Sequence, residues 1–350
     1  MRENVRVVLW GLGSMGSGIA KMILGKKGIS IVGVTVHTPA KIGKRLYELL
    51  GLEATPENDI PITGRPEDIV RKGTADVALI ATQSFIRDVF SQVKTCVEAR
   101  MNVITLAEEM AYPWAADPYL SNEIDRLARD NGVTVLGTGI NPGFIMDLLV
   151  IALTGVCEDI SSIKVCRVND LSPFGKAVMR GQGVGLMPEE FARRVEDGTV
   201  VGHVGFAQSF GMLEKALNLR FTKTEQLKEP IVTNVERSTD VISVRPGQVA
   251  GCRQVGHAYL DDKTFVELEH PQQIRPEAEN VTTGDCIEIN GLPNIRLQGS
   301  PEIPGGTGTI AICVNMIPHV INADPGLKSM LDLPVPRALL GDVRDLIRTK

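Results

Sequence analysis

The chain has no apolar run long enough to span a bilayer, no Cys-x-x-Cys pair, no zinc-like histidine cluster and no basic tract interleaved with aromatics. Each absence removes a class of function. The first leaves no membrane segment. The second and third leave no metal expected, because structural zinc needs closely spaced Cys or His ligands. The fourth, with a formal charge of −5 and 4% aromatic residues, leaves no surface for nucleic acid. Cys96, Cys157, Cys166, Cys252, Cys286 and Cys313 are scattered, mostly among Val, Ile and Gly. They read as small buried hydrophobes of a reducing compartment. A strand is expected from Val5 onward in place of a signal peptide, so the expected location is the cytoplasm.

With 350 residues, 43% hydrophobic and 23% charged, the chain has material for two globular domains with separate cores. Its first local signal is Val5-Arg6-Val7-Val8-Leu9-Trp10 running into Gly11-Leu12-Gly13-Ser14-Met15-Gly16. A strand, a GxGxxG turn and a helical pattern through Ile19, Met22 and Ile23 form a dinucleotide fingerprint. Gly11 allows the tight turn, Gly13 lets backbone approach a pyrophosphate, and Gly16 lets helix and strand pack closely. The phosphates would sit on free N–H groups at the positive end of the helix.

Strands are expected at 29–36, 75–81, 102–106 and 133–136, with helices at 89–99 and 120–129. Apolar strands alternating with helices predict a parallel sheet covered on both faces. Near Asn141 the pattern changes. A helix is expected at 144–153, then strands at 162–169, 239–250, 253–260, 264–270 and 285–289, several alternating polar and apolar residues. Helices at 188–195 and 206–216 would cover one face, and 181–185 reads as a loop. In the tail, Gly305-Gly306-Thr307-Gly308-Thr309 is expected to precede an apolar helix at 310–317, bent or ended by Pro318. The expected fold class is α/β: residues 1–140 bind a dinucleotide, 141–302 form an α+β domain with a mixed, mostly antiparallel sheet, and 303–350 return as helix.

An acid at the end of the second strand would accept from the 2′-hydroxyl of NAD and repel a 2′-phosphate. That acid is missing. His37, Thr38 and Lys41 stand there, which permits NADP beside NAD; a solvated basic loop is the plain alternative. Thr82 and Gln83 close the strand at 75–81 and are placed beside the cofactor's ribose or pyrophosphate, with a helix cap as the alternative. Glu108 and Glu109 follow a buried strand, where an unpaired charge is costly. Glu108 is assigned to hold a substrate ammonium and exchange protons, with Glu109 in support. Gly139 and Asn141 are placed beside the nicotinamide, with Asn141 and Phe144 as substrate contacts and Asp147 one turn into the following helix. Arg167 and Asn169 alternate on one face of a strand and are expected to clasp a carboxylate. His270 is the histidine most worth testing among His203, His257, His270 and His319.

These pieces together resemble the 2,4-diaminopentanoate dehydrogenase family and the related native amine dehydrogenases of the dihydrodipicolinate-reductase-like superfamily. The resemblance is carried by residues 11–16, by Val36-His37-Thr38-Pro39-Ala40-Lys41-Ile42-Gly43, and by 102–109 with Tyr112-Pro113-Trp114. Gly137-Thr138-Gly139-Ile140-Asn141-Pro142-Gly143-Phe144 and the stretch from Gly308-Thr309 to Pro318 complete it. It implies a Rossmann NAD(P) domain, a substrate and dimerisation domain, and a C-terminal helix returning to the interdomain cleft of a homodimer. It also implies reversible oxidation of the 4-amino group of 2,4-diaminopentanoate, in ornithine breakdown, to 2-amino-4-oxopentanoate and ammonia. The catalytic glutamate of related amine dehydrogenases falls on Glu108, with Glu109 the alternative. Dihydrodipicolinate reductase's paired histidines and lysine-containing Ser-Gly-Thr segment are missing. Two other readings stay open: a dehydrogenase of simple amines, and a noncatalytic nucleotide sensor.

Overall fold

The buried apolar runs of the first part become short parallel strands in a computed structural model that describes residues 3–54 and 59–348. In chain order these are β1 (Val5–Trp10), α1 (Ser14–Leu24), β2 (Ile29–Thr35), α2 (Leu46–Leu50), β3 (Ile62–Thr63) and β4 (Val77–Ile80). Then come α3 (Ile86–Glu98), β5 (Asn102–Thr105), α4 (Pro118–Asn131) and β6 (Thr134–Gly137). Every residue of β4 and β6 is buried, as expected of strands covered on both faces. The helices close with ordinary devices: the Asp117 carboxylate accepts from the Leu120 N–H, and Gly132 ends α4 in the left-handed region.

The second part begins with α5 (Leu148–Thr154), β7 (Asp159–Asp170), α6 (Lys176–Gly181), α7 (Pro188–Glu196) and α8 (Phe206–Ala216). It continues through β8 (Lys223–Val232), β9 (Arg237–Ser238), β10 (Ser243–Val244), β11 (Val249–Leu260), β12 (Lys263–Gln273), β13 (Gly284–Leu292) and β14 (Ile295–Gly299). The tail adds α9 (Gly305–Asn315), α10 (Ile317–Asn322) and β15 (Gly326–Lys328). The chain divides into unit 1, Met1–Phe144 with Gly306–Lys350, and unit 2, Ile145–Gly305.

Unit 1 holds an all-parallel seven-stranded sheet in the order β15-β6-β5-β4-β1-β2-β3. Order reverses between β4 and β1, the place where such sheets bind ligands beyond their carboxyl ends. Unit 2 holds a six-stranded sheet, β14-β13-β7-β12-β11-β8, antiparallel except where β7 meets β12. Ile163, Val165, Arg167 and Asn169 of β7 are buried along one face. On that face Gly256 of β11 makes room for α8, since a Cβ there would lie 2.7 Å from the Phe206 ring.

Four expectations are corrected. The helix expected at 144–153 starts only at Leu148, because Asp147 is its N-cap and not a residue one turn inside; its carboxylate accepts from Leu148 N–H and Ser209 Oγ. The strand expected at 239–250 is split into Ser243–Val244, paired with Arg237–Ser238, and the first two residues of β11, since a turn at Gly247 interrupts it. The glycine-rich run 305–309 is the first turn and a half of α9 and does not precede it. Two edge strands, β8 and β14, and the short β15 were not expected at all.

Candidate functional site

In unit 1 the GxGxxG turn has the geometry its residues dictate. Gly11 has φ +101, and a Cβ there would lie 2.5 Å from the Ala81 carbonyl oxygen. A Cβ on Gly16 would fall 2.1 Å from the Gly11 carbonyl oxygen, so the helix can seat against the turn only with glycine. Gly13, the N-cap of α1, faces open space, and no side chain caps the helix start. No acid stands in its first turn. Free N–H groups, the positive helix end and an open approach over Gly13 to Met15 fit the diphosphate of a nicotinamide dinucleotide.

Lys41 is part of that cradle: its Nζ donates to the Leu12 carbonyl at 2.6 Å. His37 and Thr38 are exposed just before it. Thr82 lies against Gly11, 3.0 Å from where a Cβ would be, but its hydroxyl donates to Gln92 Oε1 at 2.7 Å. Gln83 is exposed. Neither caps α3.

That cap is Glu109. Its carboxylate accepts from the Ile86 N–H at 2.9 Å, where the positive end of α3 favours it. The two neighbouring acids thus differ in surroundings: Glu109 is engaged at the start of α3. Burial pushes the Glu108 carboxyl above the usual range, and the charge of Glu109 adds to this. Its own backbone N–H and the Ser84 hydroxyl, which hydrogen-bonds it, pull the other way. A half-buried carboxyl with a raised pKa, held by one hydroxyl, suits proton exchange.

Among the described residues of unit 1, the buried side-chain polar atoms that lack a partner are Trp10 Nε1, Thr138 Oγ1 and both amide atoms of Asn141. Trp10 ends β1, while Thr138 and Asn141 follow β6, so all lie at the carboxyl edge of the sheet where Glu108 follows β5. Orphaned buried polar groups are rare in folded proteins, and their gathering on this edge is the mark of a ligand site. The tail frames the same edge: Thr309 Oγ1 accepts from the Ile140 N–H at 3.2 Å, and Ile310 packs where a Cβ of Gly18 would be. Gly139 is buried beside Thr309, and Phe144 is half-buried at the end of the unit.

Arg167, Asn169 and His270 lie in unit 2, where register sets a transverse polar row. Asp285 of β13 stands opposite Arg167 of β7, and Gln254 of β11 opposite His270 of β12. His270 Nδ1 meets the Arg167 carbonyl at 2.6 Å. The carboxylate fork expected of Arg167 is already in use. Its guanidinium is 2% exposed, paired with Asp285 and donating to the Ile303 carbonyl at 2.6 Å. Its role in the fold is to neutralise a buried acid, so it is no substrate clamp. His203 stacks edge-to-face on His270 with ring centroids 4.9 Å apart, and Gln254 holds the His203 backbone through both amide atoms.

Sequence reasoning missed Asp285 and Gln254. Nothing local marks them; sheet register and loop placement bring them in. Among the described residues no group of three or more His, Cys, Asp or Glu is arranged to hold a metal. Nor is any helix long and apolar enough to cross a membrane.

Residues 144–349 match the 2,4-diaminopentanoate dehydrogenase C-terminal domain family. Over 346 residues, 99% of this chain and 98% of the other, the sequence is 52% identical to the 2,4-diaminopentanoate dehydrogenase of Acetoanaerobium sticklandii. The chain belongs to the 2,4-diaminopentanoate dehydrogenase family. A more distant relative is the amine dehydrogenase of Streptomyces virginiae, 21% identical over 96% of this chain and 98% of that one. The solved amine dehydrogenase of Mycobacterium smegmatis superposes with a TM-score of 0.86 at 27% identity, covering 97% of this chain and 99% of that one. The family is one of dehydrogenases.

Proposed function

We propose that the chain is a 2,4-diaminopentanoate dehydrogenase that oxidises the 4-amino group with NADP, and with NAD less well. The products are 2-amino-4-oxopentanoate and ammonia. The observation that carries this reading is Glu108, a carboxyl with a raised pKa on the same sheet edge as the dinucleotide turn.

When bound, the nicotinamide supplies the hydride acceptor. Glu108 takes a proton from the C4 ammonium, leaving the amine whose C4–H bond can yield a hydride. Once Glu108 has passed that proton to solvent, its carboxylate stabilises the C=N cation on the substrate. Water adds at C4 as Glu108 accepts its proton, and the resulting carbinolamine loses ammonia to leave the ketone. In balance, the C4 ammonium, oxidised cofactor and water give ketone, ammonium, reduced cofactor and one proton. Glu109 and Ser84 are positioning residues, one fixing the start of α3 and the other the Glu108 carboxyl. Gly139 and Asn141 are assigned to the nicotinamide, and Phe144 to the substrate's carbon chain.

The preference for NADP rests on Lys41, whose Nζ donates to the Leu12 carbonyl in the turn, and on the missing acid after β2. Lys41→Ala should lower kcat/KM for NADP by roughly 10–100-fold, the worth of a charge-assisted hydrogen bond, and that for NAD by far less. Steady-state rates with both cofactors check this. Equal losses would contradict it. The resemblance further implies a homodimer, for which light scattering should give twice 37.9 kDa. Six unpaired cysteines suit a reducing cytoplasm. The reaction itself is tested by following NADPH formation with 2,4-diaminopentanoate, pentan-2-amine and cyclohexylamine. The diamino acid should turn over best; faster oxidation of the simple amines would overturn the assignment.

A further inference from the structure

On a chain with a formal charge of −5, one cavity of unit 1 gathers charge of the opposite sign. Its volume is about 590 Å³, and it opens where β1, β4 and β5 begin, at the end of the sheet away from the glycine turn. Lys72 enters it from the loop before β4, Arg100 from the turn between α3 and β5, and Arg348 from the segment after β15. Among the described residues, none of these three side chains has an ion-pair or hydrogen-bond partner.

The other cations of the cavity are already engaged. Arg6 pairs with Asp76 at 2.9 Å and donates to the Gly73 carbonyl at 2.7 Å, and Arg344 pairs with Asp342 at 2.6 Å. Besides Asp76, Glu3 is the only acid among the described residues that line the cavity. Positive charge is thus left over. Arg100 is kept there against the preference of its backbone. It follows Ala99, the C-cap of α3, at φ +57, a left-handed position that helix ends ordinarily give to glycine or asparagine.

Behind the cations the wall is apolar: Val5 and Ala75 are buried, and Ile321 and Ile347 half-buried. An inorganic anion would leave that wall uncovered, and an apolar molecule would leave the three cations unanswered. The volume is that of a small-molecule pocket. We infer that this cavity binds a nucleoside di- or triphosphate other than the cofactor, with its phosphates on Lys72, Arg100 and Arg348 and its base against Ile321 and Ile347. Arginine takes phosphate oxygens as a fork and lysine as a point charge. The site lies wholly within unit 1 and is independent of the activity proposed above.

Calorimetry tests this on the full chain carrying one equivalent of NADPH to fill the dinucleotide turn, with ADP, ATP and inorganic pyrophosphate as probes. One ADP or ATP should bind per chain, at least ~10-fold more tightly than pyrophosphate, because the apolar wall favours only the nucleoside. Arg100→Gly should weaken ADP binding by roughly 10–100-fold, the worth of a charge-assisted hydrogen bond, and Arg348→Ala should do the same. Glycine is at ease at φ +57, so Arg100→Gly should melt no lower than the wild type, and its loss of ADP is then no loss of fold. Failure of the NADPH-loaded wild type to bind ADP or ATP would overturn the inference, as would binding that both variants retain in full. Pyrophosphate binding as tightly as ADP would overturn the nucleoside assignment. ADP that releases NADPH, with no second molecule bound beside it, would place the contact at the glycine turn and overturn the site.

Discussion

Glu108→Gln should reduce kcat for 2,4-diaminopentanoate by ~10²–10⁴-fold, the usual contribution of a positioned acid or base. Glutamine keeps the shape and can still hydrogen-bond Ser84, but it cannot take a proton or balance a C=N cation. NADPH affinity should stay within about threefold, since the dinucleotide is assigned to residues 11–16 and Lys41. A pH effect accompanies this. The folded state raises the Glu108 pKa, so it holds that proton more tightly than the unfolded chain does. The stability this contributes is present in acid, below the unfolded value of about 4.3, and is lost as pH rises through the raised value. Glutamine does not titrate. The variant should therefore melt above the wild type at pH 8, with the difference disappearing toward pH 4. Loss of catalysis with a gain of stability in base is a pairing that general damage does not produce. Melting curves across that range, beside the kinetics, check it.

The second large effect is structural. Asp285→Ala leaves the Arg167 guanidinium buried without its counter-charge, which typically costs about 3–5 kcal/mol. For a unit of this size that corresponds to a fall in melting temperature of roughly 10 °C. Replacing both partners by apolar residues, Arg167→Met with Asp285→Leu, should recover most of the loss, because the desolvation of two charges disappears with them. A double variant no more stable than Asp285→Ala would show that the pair contributes by something other than mutual neutralisation.

That pair also shows where the sequence stops being legible. β4 and β6 are read within a few residues because strands buried on both faces are contiguous apolar runs. The bounds of α8 emerge directly from its sequence, Phe206 to Ala216. β8 and β14 escape because they are the two edges of their sheet, with mostly exposed or half-buried residues and little apolar alternation to detect. β15 is only three residues long.

The site divides in the same way. The glycine turn and the Glu108-Glu109 step are local in sequence, and each residue's type states its task. The fate of Arg167 is not local, because Asp285 lies 118 residues away and meets it through the register of β7 and β13. Asn169 and Arg167 look alike from their shared strand face, yet one is saturated and the other has a buried oxygen without a partner. Only the paired strands separate them.

The most direct measurement follows the hydride itself. 2,4-Diaminopentanoate deuterated at C4 should deliver its deuterium to the reduced cofactor, seen by NMR at nicotinamide C4, while substrate deuterated at C2 should deliver none. Deuterium arriving from C2 would contradict oxidation at the distal amine.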